Sequence, residues 1–113
     1  MEITDEFMQE HLAQSRPYTV AILKQGPRYA EPGSDKIIWE HGRRNFALRA
    51  DGVLAIVCPV LDDTTVCGFS VFDAPVDDVA KIMDDDPGVQ VGVFEYELHP
   101  VRSFPNDALP AAD

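Results

Sequence analysis

The chain has 113 residues, with 20 acidic against 9 basic side chains and a formal net charge of −11. That length holds one core and one domain. So acidic a field repels nucleic acid and anionic membrane surfaces, which excludes both as general partners. No stretch approaches the roughly 18–20 apolar residues that cross a bilayer.

The first residues, Met1 to Glu6, carry neither a basic region nor a long apolar run, and export is not expected. The expectation is a cytoplasmic protein with Cys58 and Cys67 as reduced thiols in apolar surroundings.

Residues 2–14 read as a short helix, capped by Thr4 with Asp5 and Glu6 in its first turn, near the positive end of the dipole. Tyr18 to Leu23 is an apolar, β-favouring run, the first strand. Residues 26–35, with Pro27, Pro32 and Gly33, form a loop longer than usual, of the kind that borders sites. A helix follows from about Lys36 to Ala50, with Ser34 or Asp35 as its cap and Asp51-Gly52 as its end. At roughly 100° per residue, Ile37, Ile38, His41 and Leu48 share one face. Arg44 and Asn45 flank it, and Trp39 and Phe46 point away.

Val53 to Val57 is the second strand and Thr65 to Phe72 the third, where Gly68 permits a bulge. Pro75 opens a second core helix with the stripe Val76, Val79, Ala80 and Met83. Val89 to Leu98 alternates as the fourth strand, apolar on both faces, and is expected to be central or at a dimer seam. From Pro100 the composition predicts an arm, with 105–113 a flexible tail. Residues 1–104 then make a single domain in which 1–16 are an N-terminal helical extension.

The order after the first helix is β-α-β-β-α-β, which predicts an α+β, ferredoxin-like antiparallel sheet with helices on one face. The uncovered face predicts a homodimer.

Four residue types stand out chemically. His41 is polar on an apolar helix face, where it serves either as a general acid or base paired with a carboxylate, or as a core histidine bonded to backbone. Asp86 either orients that histidine or caps the turn before Pro87. Arg28, Arg43 and Arg44 offer bidentate partners for an anionic ligand, or surface salt bridges to the many acids. Cys58 is a buried thiol or, next to His41, a reactive one. Asp84, Asp85 and Asp86 do not follow calcium-loop spacing, and no metal is expected.

Three stretches resemble the YCII-related (YciI-like) family. His41 precedes Gly52 at the end of its helix. Val53-Leu54-Ala55-Ile56-Val57 runs into Cys58-Pro59, where the family has Gly-Pro. Asp86-Pro87 leads into Gly92-Val93-Phe94-Glu95. The likeness spans about residues 18–104. It implies a dimeric α+β barrel and a cleft in which His41 and Asp86 face one another as catalytic pair; Arg28, Arg44 and Cys58, on their own chemistry, are the substrate-binding candidates.

The expectation is a small-molecule-binding protein, a cofactor-independent lyase or isomerase that moves a proton between substrate and His41. The rival expectation is a non-catalytic dimeric module for a small ligand or a partner protein, since Ser, Thr and Lys are few near the motifs.

Overall fold

The computed structural model describes all 113 residues. Their order is α1 (Asp5–Ala13), β1 (Arg16–Gln25), α2 (Ser34–Ala50), β2 (Leu54–Pro59), β3 (Val66–Phe72), α3 (Val76–Asp84), the single turn α4 (Pro87–Gln90) and β4 (Phe94–Ser103). The Thr4 hydroxyl accepts the Phe7 N–H at 3.1 Å and starts α1. No residue of that helix is buried, so it is held at the margin of the domain rather than in its core.

The four strands form one antiparallel sheet in the order β2-β3-β1-β4. This is a ferredoxin-like α+β arrangement. Strand alternation divides the side chains between two faces. Ala21 lies opposite Ser70 and Leu98, and Thr19 opposite Phe72, on the face that α2 and α3 cover. There Leu54, Phe72, Val79, Met83, Val93 and Phe94 form the core with Ala21 and Leu23, and Ile37, Ile38 and Leu48 of α2 pack against it. Full burial of each large apolar side chain contributes roughly 1.5–3 kcal/mol. Thr19, polar at the same level, gives its hydroxyl proton to the Ala74 carbonyl at 2.7 Å. On the other face Ile22 lies opposite Phe69 and Val20 opposite Val71, with Ile56 and Cys58 alongside.

Several local expectations are corrected. The fourth strand starts at Phe94, not Val89, because Asp86 caps a helical turn in which Pro87 takes the first position. The strand continues through Pro100 to Ser103, where an arm was expected. It pairs only with β1, so it is an edge strand within the chain rather than a central one. An edge tolerates proline because the missing N–H need not serve a second neighbour. The cap of α2 is Gly33, at φ 89°, in place of Ser34 or Asp35. Ser34 is instead buried within the first turn.

Two features fix the loops around the future site. In β3, Gly68 lies opposite Leu23 but Val66 opposite Lys24, which leaves Cys67 as the extra residue of a bulge. The loop after β1 is tied to the one before β4: Gly26 N–H donates to the Val93 carbonyl at 2.8 Å and Arg28 N–H to that of Gly92 at 2.9 Å. A Cβ at Gly26 would collide with the Gly92 carbonyl, so the two backbones meet only because residue 26 has no side chain.

Candidate active site

His41 stands two turns into α2, and Asp86 sits between α3 and α4 in extended conformation. One oxygen of Asp86, Oδ2, accepts the N–H groups of Gly88 at 2.9 Å and Val89 at 3.3 Å. This is an ordinary N-cap, and it turns the other oxygen towards α2. Oδ1 lies 2.7 Å from His41 Nδ1, with side-chain exposures of 13 % for His41 and 2 % for Asp86. The two roles read from the sequence for Asp86 are thus carried by the two oxygens of one carboxyl group. Arg44, one residue short of a full turn beyond His41, brings its guanidinium to 3.8 Å from the same Oδ1.

Since Asp86 meets only donors, Nδ1 of His41 carries the ring proton and donates it, which leaves Nε2 with a free lone pair. Nε2 lies 3.2 Å from the side-chain amide nitrogen of Asn45. The Phe94 ring rests against the imidazole with centroids 4.7 Å apart, and Tyr29 lies beyond it at 6.1 Å.

The imidazole forms part of the wall of a cavity of about 850 Å³ between α2 and the sheet. That volume lies within the usual range for small-molecule sites. Its apolar floor includes Ala21, Leu23, Phe72, Met83 and Phe94, and its polar wall includes His41 and Asn45. Asp107, Ala108 and Leu109 of the C-terminal segment also contribute to the wall. No group of three or more His, Cys, Asp or Glu side chains is disposed to hold a metal ion.

The structure brings His41, Asp86 and Arg44 together and leaves Arg28 out. Arg28 is largely exposed, 3.6 Å from Glu31, with its stem against Gly92. Cys58 reaches the cavity margin from β2, but its register with Phe69 puts its side chain on the sheet face away from the helices. Both ring nitrogens of His41 are engaged elsewhere, so no thiol–imidazole pair forms. Arg43 pairs with Glu40 at 2.8 Å on the exposed side of α2. Asn45 was read only as flanking the helix face. Its signal was its place four residues after His41, where side chains on a helix meet.

Outside the cavity, the Tyr96 hydroxyl donates to Asp84 at 2.7 Å, and this bond, with burial and the nearby negative charge, holds the phenol above its ordinary titration range. Burial likewise pushes the Cys67 thiol up. Glu97, bonded to Lys24 and His99, is held below the usual carboxylate range.

No protein-family model matches the sequence, and comparison with curated proteins finds no match. Among solved structures the chain is similar to 5-chloro-2-hydroxyhydroquinone dehydrochlorinase from Burkholderia phenoliruptrix AC1100, in complex with 2,5-dihydroxybenzoquinone. The TM-score is 0.51 at 17 % identity, over 73 % of this chain and 90 % of that one. At such identity the likeness is one of fold.

Proposed function

We propose that this chain is a YciI-like small-molecule enzyme in which Nε2 of His41 removes a proton from a bound substrate, without a cofactor, in a lyase- or isomerase-type reaction. The observation that carries the reading is the 2.7 Å bond between His41 Nδ1 and Asp86 Oδ1 at the wall of a cavity large enough for a single-ring compound. A carboxylate behind the imidazole fixes its tautomer and stabilises the imidazolium formed when Nε2 accepts a proton. The dehydrochlorinase of the same fold acts on a hydroxylated ring and is bound to a dihydroxybenzoquinone. That likeness supports a cyclic, oxygen-bearing substrate for this chain too.

The same reading includes a homodimer in the cytoplasm. Val20, Ile22, Phe69 and Val71 lie together on the sheet face opposite the helices. A second copy supplies the cover that an apolar sheet face requires.

The test is a thermal-shift screen of the purified protein against hydroxylated aromatics, quinones and unsaturated lactones, beginning with 2,5-dihydroxybenzoquinone, followed by turnover assays on every compound that binds. The reading expects a stabilising compound that wild type converts and His41→Gln binds but does not convert. A compound that binds equally to both proteins and is converted by neither would favour the non-catalytic module. The absence of any stabilising compound would count against both.

A further inference from the structure

Asn45 occupies the one position on His41 that proton transfer needs. Its amide nitrogen is 3.2 Å from Nε2, and both side chains form part of the cavity wall. The opposite ring nitrogen is committed to Asp86 at 2.7 Å, so the amide donates to the Nε2 lone pair. No buried side-chain nitrogen or oxygen lacks a partner. The amide oxygen of Asn45 makes no bond within the protein and is therefore accessible to solvent. A base whose lone pair is covered by a neutral donor cannot act until a ligand takes the donor's place.

We propose that Asn45 is a third catalytic residue, and that the ligand it selects carries a phenolic or enolic hydroxyl. This inference rests on His41 acting as base. A hydroxyl entering between the two side chains can donate its proton to Nε2 while its oxygen accepts from the Asn45 N–H. Both groups are then satisfied, and the resting bond between them is exchanged for two. When the O–H bond breaks, the proton passes to Nε2 and the electron pair stays on the ligand oxygen. The Asn45 N–H faces the resulting oxyanion, while Nδ1–H of the imidazolium still donates to Asp86. Negative charge develops on the ligand oxygen and positive charge on the imidazole, and each already has a partner in place, the Asn45 N–H for the one and the Asp86 carboxylate for the other. The hydroxyl class follows from acidity: imidazole exchanges protons with a phenol or an enol far more readily than with an aliphatic alcohol, whose anion is too basic. An ether or a methylated phenol has no proton to give Nε2 and leaves that lone pair unmatched.

The test uses 4-nitrophenol, whose anion is yellow, at a pH where the free compound is mostly protonated. Binding is read by thermal shift and ionisation by absorbance, with 4-nitroanisole as the methylated control. Wild type is expected to bind 4-nitrophenol and raise its ionised fraction, and to bind 4-nitroanisole more weakly. Asn45→Leu, close in size but without a donor, is expected to bind the phenol and lower the ionisation constant of the bound form by roughly 10- to 100-fold, the loss expected for a hydrogen bond to a charged group. Its fold is checked by circular dichroism. In the absence of ligand, nitrogen NMR of His41 provides a second readout: Asn45→Leu should move the Nε2 resonance towards that of an unbonded imidazole. Equal ionisation of bound nitrophenol in wild type and Asn45→Leu would overturn the role of Asn45 while leaving His41 as base. So would an Nε2 resonance that does not move. Failure of wild type to bind nitrophenol would overturn the choice of hydroxyl class, and conversion of other compounds in the turnover screen would then leave the wider reading standing.

Discussion

Gly88 and the ring of Phe94 lie so close that no methyl group fits between them. Gly88 also donates its N–H to Asp86, and Phe94 packs its ring, tilted by 54°, against that of His41. One glycine thus sets both the depth of the carboxylate and the support beneath the imidazole. Gly88→Ala is expected to destabilise the domain by about 1–3 kcal/mol, the usual cost of overpacking. Chemical denaturation measures it. Combining it with Phe94→Leu should recover part of the loss, because the two residues share one clash. Strictly additive costs would show that the contact is not the cause.

Asp86→Asn and Asp86→Ala separate the two duties of this side chain. Asparagine caps a helical turn about as well as aspartate, so Asp86→Asn is expected to cost about 1 kcal/mol or less. Its amide can present N–H to Nδ1, however, which favours the wrong tautomer of His41. Any reaction that uses Nε2 as base should then slow by roughly 100-fold or more. Asp86→Ala removes the cap and strands the Gly88 N–H, at a cost of about 2 kcal/mol or more. Equal destabilisation by both substitutions would argue that the pairing with α2, not the cap, dominates.

The Tyr96–Asp84 bond makes a directional statement about alkaline pH. The bond favours the protonated phenol, so its folded-state titration lies above the ordinary value near 10. Its contribution to stability is complete below that ordinary value and is lost as pH rises through the higher folded value. Difference absorbance of tyrosinate should show one tyrosine titrating late, and Tyr96→Phe should remove that component. Unchanged late titration in Tyr96→Phe would assign it to Tyr18 or Tyr29 instead.

The open sheet face makes the oligomer testable without a ligand. Phe69 is partly exposed in the single chain and lies opposite Ile22. Light scattering should show a dimer at micromolar concentration. Phe69→Glu should leave the fold intact and weaken association by about 2 kcal/mol or more, roughly thirtyfold in the dissociation constant, because a carboxylate would be buried unpaired. A wild-type monomer at that concentration would refute the dimer.

The order of elements was legible in the sequence because local rules govern it. Proline and glycine punctuated the chain, Val79 and Met83 repeated at helical spacing, and 18–23 and 53–57 were β-favouring or continuous apolar runs. The fold class followed from that order alone. The expected pair, His41 and Asp86, drew on a helix-face argument and on a family resemblance, not on any local motif strong enough by itself. What only tertiary structure decided is how residues 45 positions apart meet: Asp86 turns Oδ1 to His41 because Oδ2 is already held by a helical turn whose residues from Val89 on periodicity had assigned to a strand. Alternation in Val89, Val91 and Val93 is compatible with either state, and the cap of Asp86 with Pro87 decided for the turn. Arg28 and Arg44 looked equivalent as basic residues near the motifs. The loop that ties Arg28 to Gly92 carries it to the surface, while the helix that carries His41 also carries Arg44 to Asp86. Partner choice of this kind depends on where distant segments pack, which no local pattern records.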